Sequence, residues 1–125
     1  MLKIGLDIHG VIDIKPKIYS KLSRRLIELG HQVHVITGPH VTIELVKELF
    51  GYGISYTHVF SISDYHKMCD TPMRYDEKGN PWIDKTLWNK TKAEYCHREK
   101  IDLHIDDSAY YGQYFKSTIY LEIKK

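Results

Sequence analysis

The segment Leu2-Lys3-Ile4-Gly5-Leu6-Asp7-Ile8-His9-Gly10-Val11 decides the fold. Its apolar run is too short for a helix, stops at a carboxylate and is followed by a glycine turn. That pattern reads as a strand buried within a sheet, with Asp7 at its carboxyl end.

Segments of helical and strand character alternate downstream of it. Pro16 opens a helix over about 16–29, with Ile18, Leu22, Leu26 and Leu29 on one face, Lys21, Arg24 and Arg25 off it, and Gly30 placed as the cap. A strand over 33–36 breaks at Thr37-Gly38-Pro39. In the next helix Val41, Leu45 and Leu49 recur at i, i+4 and i+8, with Val46 and Phe50 beside them, and Gly51 and Gly53 end it. Residues 56–62 read as a third strand. Between 64 and 88 the pattern changes: Met73-Arg74-Tyr75-Asp76 and Pro81-Trp82-Ile83-Asp84 flank Glu77-Lys78-Gly79-Asn80, a β-hairpin signature. Asn89 or Thr91 is placed to cap a helix to about Lys100, which puts Lys92 in its first turn. Strands over 101–105, ending in Asp106-Asp107, and over 118–123 complete the reading.

Such alternation implies right-handed crossovers and an α/β three-layer sandwich with a mainly parallel five-stranded sheet. The length of 125 residues predicts one domain, 1–125, carrying a hairpin insertion at about 64–88. Apolar residues at 42% and charged residues at 27% are ordinary globular values. A net charge of +2 is too mild for nucleic-acid binding by bulk electrostatics, so a nucleic-acid partner is not favoured. The 10 tyrosines are scattered through the chain and read as half-buried packing residues. Cys69 and Cys96 lack CxxC spacing, which predicts reduced thiols. With no leader and no apolar run of membrane-spanning length, the expectation is a soluble, cytoplasmic protein without a membrane partner.

The chemistry-bearing residues fall at strand ends or at a helix start: Asp7-Ile8-His9-Gly10-Val11, Thr37-Gly38, Lys92 and Asp106-Asp107. In a parallel sheet this edge is the ligand edge. Carboxylates converging there suit Mg²⁺, a hard cation that takes oxygen ligands and makes the like charges tenable together. Thr37 and the backbone N–H groups after it suit phosphate oxygens at a helix start, and Lys92 supplies a fixed positive charge. Together these parts describe phosphoryl transfer to a carboxylate.

The order strand–Asp-x-x-Gly-Val, strand–Thr-Gly, Lys, strand–Asp-Asp resembles the four motifs of the haloacid dehalogenase superfamily, and the resemblance spans nearly the whole chain. It implies a sheet with the Asp7 strand central, and Asp7 as both nucleophile and Mg²⁺ ligand. It further implies Thr37, Gly38 and Lys92 around the phosphate, with Asp106 and Asp107 completing the metal site. His9 stands where the family usually has a second Asp serving as general acid and then base. The family's metal contact at that position is a backbone carbonyl, so His9 still counts among the metal-site residues. An imidazole is a side chain suited to proton transfer near neutrality, help typically worth ~10²–10⁴-fold. Three outcomes stand open: His9 replaces the acid/base, only good leaving groups are handled, or turnover is lost.

The resemblance implies an HAD-like phosphatase; the segment between Thr37 and Lys92 is too short for a large cap domain, and the segment after Asp7 runs directly into a helix, so the hairpin stands in its place. The expected substrate is a small phosphomonoester such as a nucleotide. The alternative is a catalytically degraded domain that binds a phosphorylated ligand or a protein partner. Arg74, Tyr75, Trp82 and Trp88 read either as a flap over the substrate or as a small core for the insertion. His31 and His34 read as strand-edge polar residues rather than zinc ligands, and His104 as a satisfied core histidine. Ser108 and Tyr110-Tyr111 are placed to line the site or to cover the sheet edge.

Overall fold

The apolar run before Asp7 forms β1 (Lys3–Leu6), with Ile4, Gly5 and Leu6 buried. A turn over Ile8–Ile12 leads into α1 (Pro16–Glu28), and β2 (Gln32–Thr37), α2 (Ile43–Gly51) and β3 (His58–Ser61) follow. Next come α3 (Ile62–Met68), the short strands β4 (Arg74–Tyr75) and β5 (Pro81–Trp82), α4 (Lys85–Glu99), β6 (Leu103–Asp106) and β7 (Ile119–Glu122). The computed structural model describes residues 1–124.

The main sheet has the order β3-β2-β1-β6-β7, and every neighbouring pair is parallel. The sheet is therefore wholly parallel, with β1 at its centre, and its helices make a Rossmann-like α/β sandwich. Two apolar clusters occupy its two faces. One joins Ile4, Leu6, Val33, Val35 and Ile105 to Leu45 and Leu49 of α2 and to Leu26 and Ile27 of α1. The other joins Ile36 to Tyr95 and Cys96 of α4, with Phe60 and Phe115 against it. The chain leaves β1 toward β2 but leaves β6 toward β7. The switch point thus lies between β1 and β6, and a ligand crevice is expected at their carboxyl ends. Those ends carry Asp7 and Asp106-Asp107.

Several sequence expectations shift. On α1, Ile18, Leu22 and Leu29 are exposed, at 56%, 37% and 56%. Of the expected face only Leu26 packs inward, and Tyr19, Ser23 and Ile27 complete the buried side. The helix is rotated because Ser23 Oγ accepts from Ser55 N at 3.1 Å and Ser20 Oγ donates to Gly53 O at 2.8 Å. Small polar residues thus seat α1 against the loop that ends α2. Gly30, with φ +85°, closes α1 as expected.

The stretch expected as an insertion over 64–88 divides in two. Residues 62–68 form α3, capped by Ser61 Oγ accepting from Asp64 N at 3.0 Å, and only β4 and β5 pair as an antiparallel hairpin. The following helix is capped not by Asn89 or Thr91 but by Asp84, whose carboxylate accepts from Leu87 N at 3.1 Å. Thr91 is buried inside α4 and shares a hydrogen bond of 2.8 Å with His66 Nε2. Lys92 consequently lies about two turns into α4 rather than in its first turn. Cys69 is an exposed free thiol and Cys96 a buried one. Among the described residues no helix is long and apolar enough to cross a membrane.

Candidate functional site

Asp7 follows β1 directly, and its backbone N–H donates to Ile105 O of β6, fixing the two strand ends side by side. Asp7, Asp106 and Asp107 bring carboxylate oxygens within 4.8 Å of one another. Lys92 reaches them from α4 with its whole side chain buried. Its Nζ donates to Asp7 Oδ1 at 3.1 Å and to Asp106 Oδ2 at 2.7 Å.

Asp106 is saturated. Besides Lys92, Oδ2 accepts from His104 Nε2 at 2.9 Å, and Oδ1 accepts from the backbone N–H groups of Asp107 and Ser108 at 2.8 and 3.2 Å. Four donors occupy its four lone-pair directions. Its carboxylate therefore anchors Lys92 and the turn after β6, within the acidic cluster it forms with Asp7 and Asp107. The all-oxygen donor set fits a hard divalent ion such as Mg²⁺.

Burial dominates the electrostatics. It pushes Asp7 up to about 6, against the pull of Lys92 and with added repulsion from Asp106 and Asp107. Burial also works against the Asp106 anion, but Lys92 and the His104 hydrogen bond outweigh it and hold that carboxyl well below the usual range. Burial alone would lower Lys92, yet its two carboxylates keep it above an ordinary lysine. The centre is thus a charged chain, Asp7–Lys92–Asp106.

Gly10 takes φ +96°, and a Cβ there would stand 2.1 Å from Asp107 Oδ2. The glycine is required on both counts, since only it tolerates this conformation freely and lets the turn approach Asp107. His9 points its imidazole at α2, where Nε2 donates to Glu48 Oε2 at 3.0 Å. Glu48 also accepts from the Tyr52 hydroxyl at 3.0 Å.

Thr37 ends β2 fully buried, and its Oγ1 has no hydrogen-bond partner among the described residues. Gly38 follows, its carbonyl held by Ser63 N at 3.0 Å and Ser63 Oγ at 2.6 Å. A Cβ at Gly38 would lie 2.9 Å from the Trp88 ring. The helix start expected beside these two residues lies farther on, at Ile43, capped by Thr42 Oγ1 accepting from Leu45 N. The residues after Thr37-Gly38 therefore form a loop, not a helical first turn. Trp88 Nε1 donates to the Tyr111 hydroxyl at 2.9 Å, and the Tyr111 ring centre lies 5.2 Å from Lys92 Nζ. Trp88 and Tyr111 thus wall the site beside Gly38 and Lys92, so Trp88 is not part of a separate core for the hairpin.

Asp7, Lys92, Asp106 and Asp107 converge. Thr37 and Gly38 stand at the same edge of the sheet, and the His9 side chain turns toward Glu48. Of the surrounding residues, Tyr111 and Trp88 were among the alternatives the sequence offered, as a site-lining and a flap residue, whereas His104 was read only as a core histidine and Glu48 was not singled out. Two carried a readable signal. His104 is two residues before Asp106, hence on the same strand face, and Trp88 is four before Lys92, hence on the same helix face. His34 is buried rather than at a strand edge, hydrogen-bonded to Tyr95 Oη at 2.7 Å and Gln32 Oε1 at 2.9 Å. No protein-family model, curated protein or solved structure matches the chain.

Proposed function

We propose that this protein is a Mg²⁺-dependent phosphomonoester hydrolase of the haloacid dehalogenase type, acting through an aspartyl-phosphate on Asp7. One observation carries the reading. Beside the buried Asp7–Lys92–Asp106 chain stands a buried Thr37 hydroxyl that has no hydrogen-bond partner among the described residues. A buried hydroxyl left unpaired costs about 1–3 kcal/mol, an arrangement that makes sense where a ligand oxygen completes it. The motif order and the central place of β1 support the family reading.

Asp7 and Asp107, with the backbone carbonyl of His9, would hold Mg²⁺. The ion supplies charge neutralisation of the phosphate and of the crowded carboxylates. An Asp7 carboxylate oxygen attacks phosphorus, the bond to the leaving oxygen breaks, and that oxygen takes a proton from His9. Water then attacks phosphorus, His9 takes up the water proton, and inorganic phosphate leaves with Asp7 restored. Thr37 Oγ1 and Lys92 Nζ hold phosphate oxygens, with Lys92 also fixing Asp7. Glu48 occupies Nε2 of His9 and leaves Nδ1 for the transfer.

The same His9–Glu48 contact favours a second reading, a phosphate-binding module without turnover, in which the imidazole is held away from the leaving group. Hydrolysis of p-nitrophenyl phosphate with and without Mg²⁺ separates the two. The hydrolase reading expects Mg²⁺-dependent turnover that disappears in Asp7→Asn. Activity surviving Asp7→Asn would discard the nucleophile. An inert wild type that gains activity on His9→Asp would establish the binding module. Thr37→Val adds an independent mark: weaker phosphate binding with unchanged or raised stability, because the unpaired hydroxyl is gone.

A further inference from the structure

The helices on either side of the hairpin both reach the loop over Thr37 and Gly38 or the acidic cluster beside it. Before the hairpin, α3 sends Ser63 to the Gly38 carbonyl; after it, α4 sends Trp88 onto Gly38 and Lys92 to Asp7. Its first strand, β4, is tied to the same loop through His40, three residues past Thr37. His40 Nδ1 donates to Asp64 Oδ1 at 2.7 Å, and its Nε2 accepts from the Tyr75 hydroxyl at 3.2 Å. The two rings stack at 6.1 Å.

A cavity of about 280 Å³ opens on this hairpin, lined by Arg74, Tyr75, Asp76 and Trp82. Trp82 and Tyr75 are more than half exposed, at 58% and 53%, so they do not form a core for the insertion. Yet the tryptophan is held in place. Its Nε1 donates to Asp76 Oδ2 at 3.2 Å, and Asp76 is itself fixed by Lys78 N at 2.9 Å and Asn80 N at 2.8 Å. Arg74 stands directly across the two-stranded ladder from Trp82. Among the described residues its guanidinium has no hydrogen-bond or ion-pair partner.

We infer that this cavity is the leaving-group subsite of the proposed hydrolase and takes a nucleobase, which makes the substrate a nucleoside monophosphate. The inference rests on the phosphatase reading and adds the identity of the group bonded to the phosphate. Aromatic faces already held in position suit a flat π system, which gains stacking at little ordering cost. Arg74 suits acceptor atoms on the edge of that ring. A plain phenyl group offers Arg74 no acceptor, and a sugar alone offers the aromatics no π face. The volume lies just under the roughly 300–1,000 Å³ of pockets that enclose whole drug-sized ligands, so one ring system fits while sugar and phosphate remain outside.

The test compares kcat/KM for uridine and adenosine 5′-monophosphates with that for ribose 5-phosphate, which carries the same phosphoester without a base. The wild type is expected to prefer the nucleotides. Trp82→Ala should lower that preference about tenfold, in line with the value of one base–aromatic stack. Arg74→Met should lower it several-fold, and Trp82→Phe should keep most of it. A nucleotide preference unchanged in both Trp82→Ala and Arg74→Met overturns the subsite while leaving the hydrolase reading intact. If no phosphoester is hydrolysed, quenching of Trp82 emission by free adenosine, read in a Trp88→Phe background, decides the matter. Saturable quenching at millimolar nucleoside supports the subsite though the hydrolase reading has failed, and absence of quenching overturns it.

Discussion

Replacing Lys92 by Met keeps an unbranched chain of similar length but removes the buried charge between two carboxylates. Lys92, Asp7 and Asp106 are only 2%, 7% and 0% exposed, so water cannot substitute for the lost ammonium. Breaking a buried ion pair from one side typically costs about 3–5 kcal/mol. At roughly 4 °C per kcal/mol for a domain of this size, Tm should fall by roughly 10–20 °C near neutral pH. The sign of the pH dependence follows from Asp7. Burial already pushes its carboxyl up to about 6 with Lys92 present, and removing the lysine removes the main influence that lowers it. In the variant the folded-state pKa therefore rises further above the unfolded value of about 3.9. The penalty is then full above the folded pKa and is relieved as pH falls through it and the carboxyl takes up a proton. Thermal unfolding of wild type and variant at about pH 8 and about pH 5 reads both effects. The destabilisation should be clearly smaller at the lower pH. A loss of equal size at both pH values, or a variant as stable as wild type at about pH 8, would refute the charged chain as the organiser of the site.

Three further outcomes can be checked. Gly10→Ala should lose at least about 1 kcal/mol in urea unfolding from the φ +96° backbone alone, and it should weaken any Mg²⁺-induced rise in Tm because its Cβ displaces Asp107. His34, with burial and the neighbouring His58 pushing its pKa down to about 4, is held neutral in the fold. The unfolded chain binds a proton there between about pH 6.5 and 4 and the folded protein does not. Stability should accordingly fall on acidification through that window by at most about 3 kcal/mol, and His34→Gln should flatten the fall; parallel curves for the two proteins would show that other groups cause it. Asp84→Ala should cost ~1 kcal/mol by uncapping α4, measured by urea titration.

The central strand and its acidic end were legible because a short apolar run closed by Asp and Gly has few alternative readings. Gly30 and the hairpin turn were equally plain. The side of α1 that faces the core was not: leucine spacing pointed one way, whereas small serines that fit against the loop over 53–55 turned the helix another. The start of α4 was obscured because Asp84-Lys85-Thr86 reads as the tail of a hairpin until its carboxylate is seen to cap Leu87. His104 is the buried core histidine that its apolar strand suggests, but its bond to Asp106 was not foreseen, although its place two residues before Asp106 marks the shared face. Glu48 left no trace in the sequence. Its meeting with His9 depends on how α2 leans over the β1 turn, a tertiary matter that local pattern does not encode.

The central position of β1 also bears on how the sheet assembles. Its β2 edge pairs within the first third of the chain, but its other edge waits for β6, with Lys3 N donating to Asp102 Oδ2 across 99 residues. Such distant closure is entropically expensive and characteristically slow. Until β6 arrives, Asp7 lacks the neighbour that Lys92 must bridge, and one side of the central strand stays open to other chains. A folding intermediate holding β1 to β3 would therefore be the species most prone to aggregate, and a chaperone that shields that edge would raise the yield of native protein.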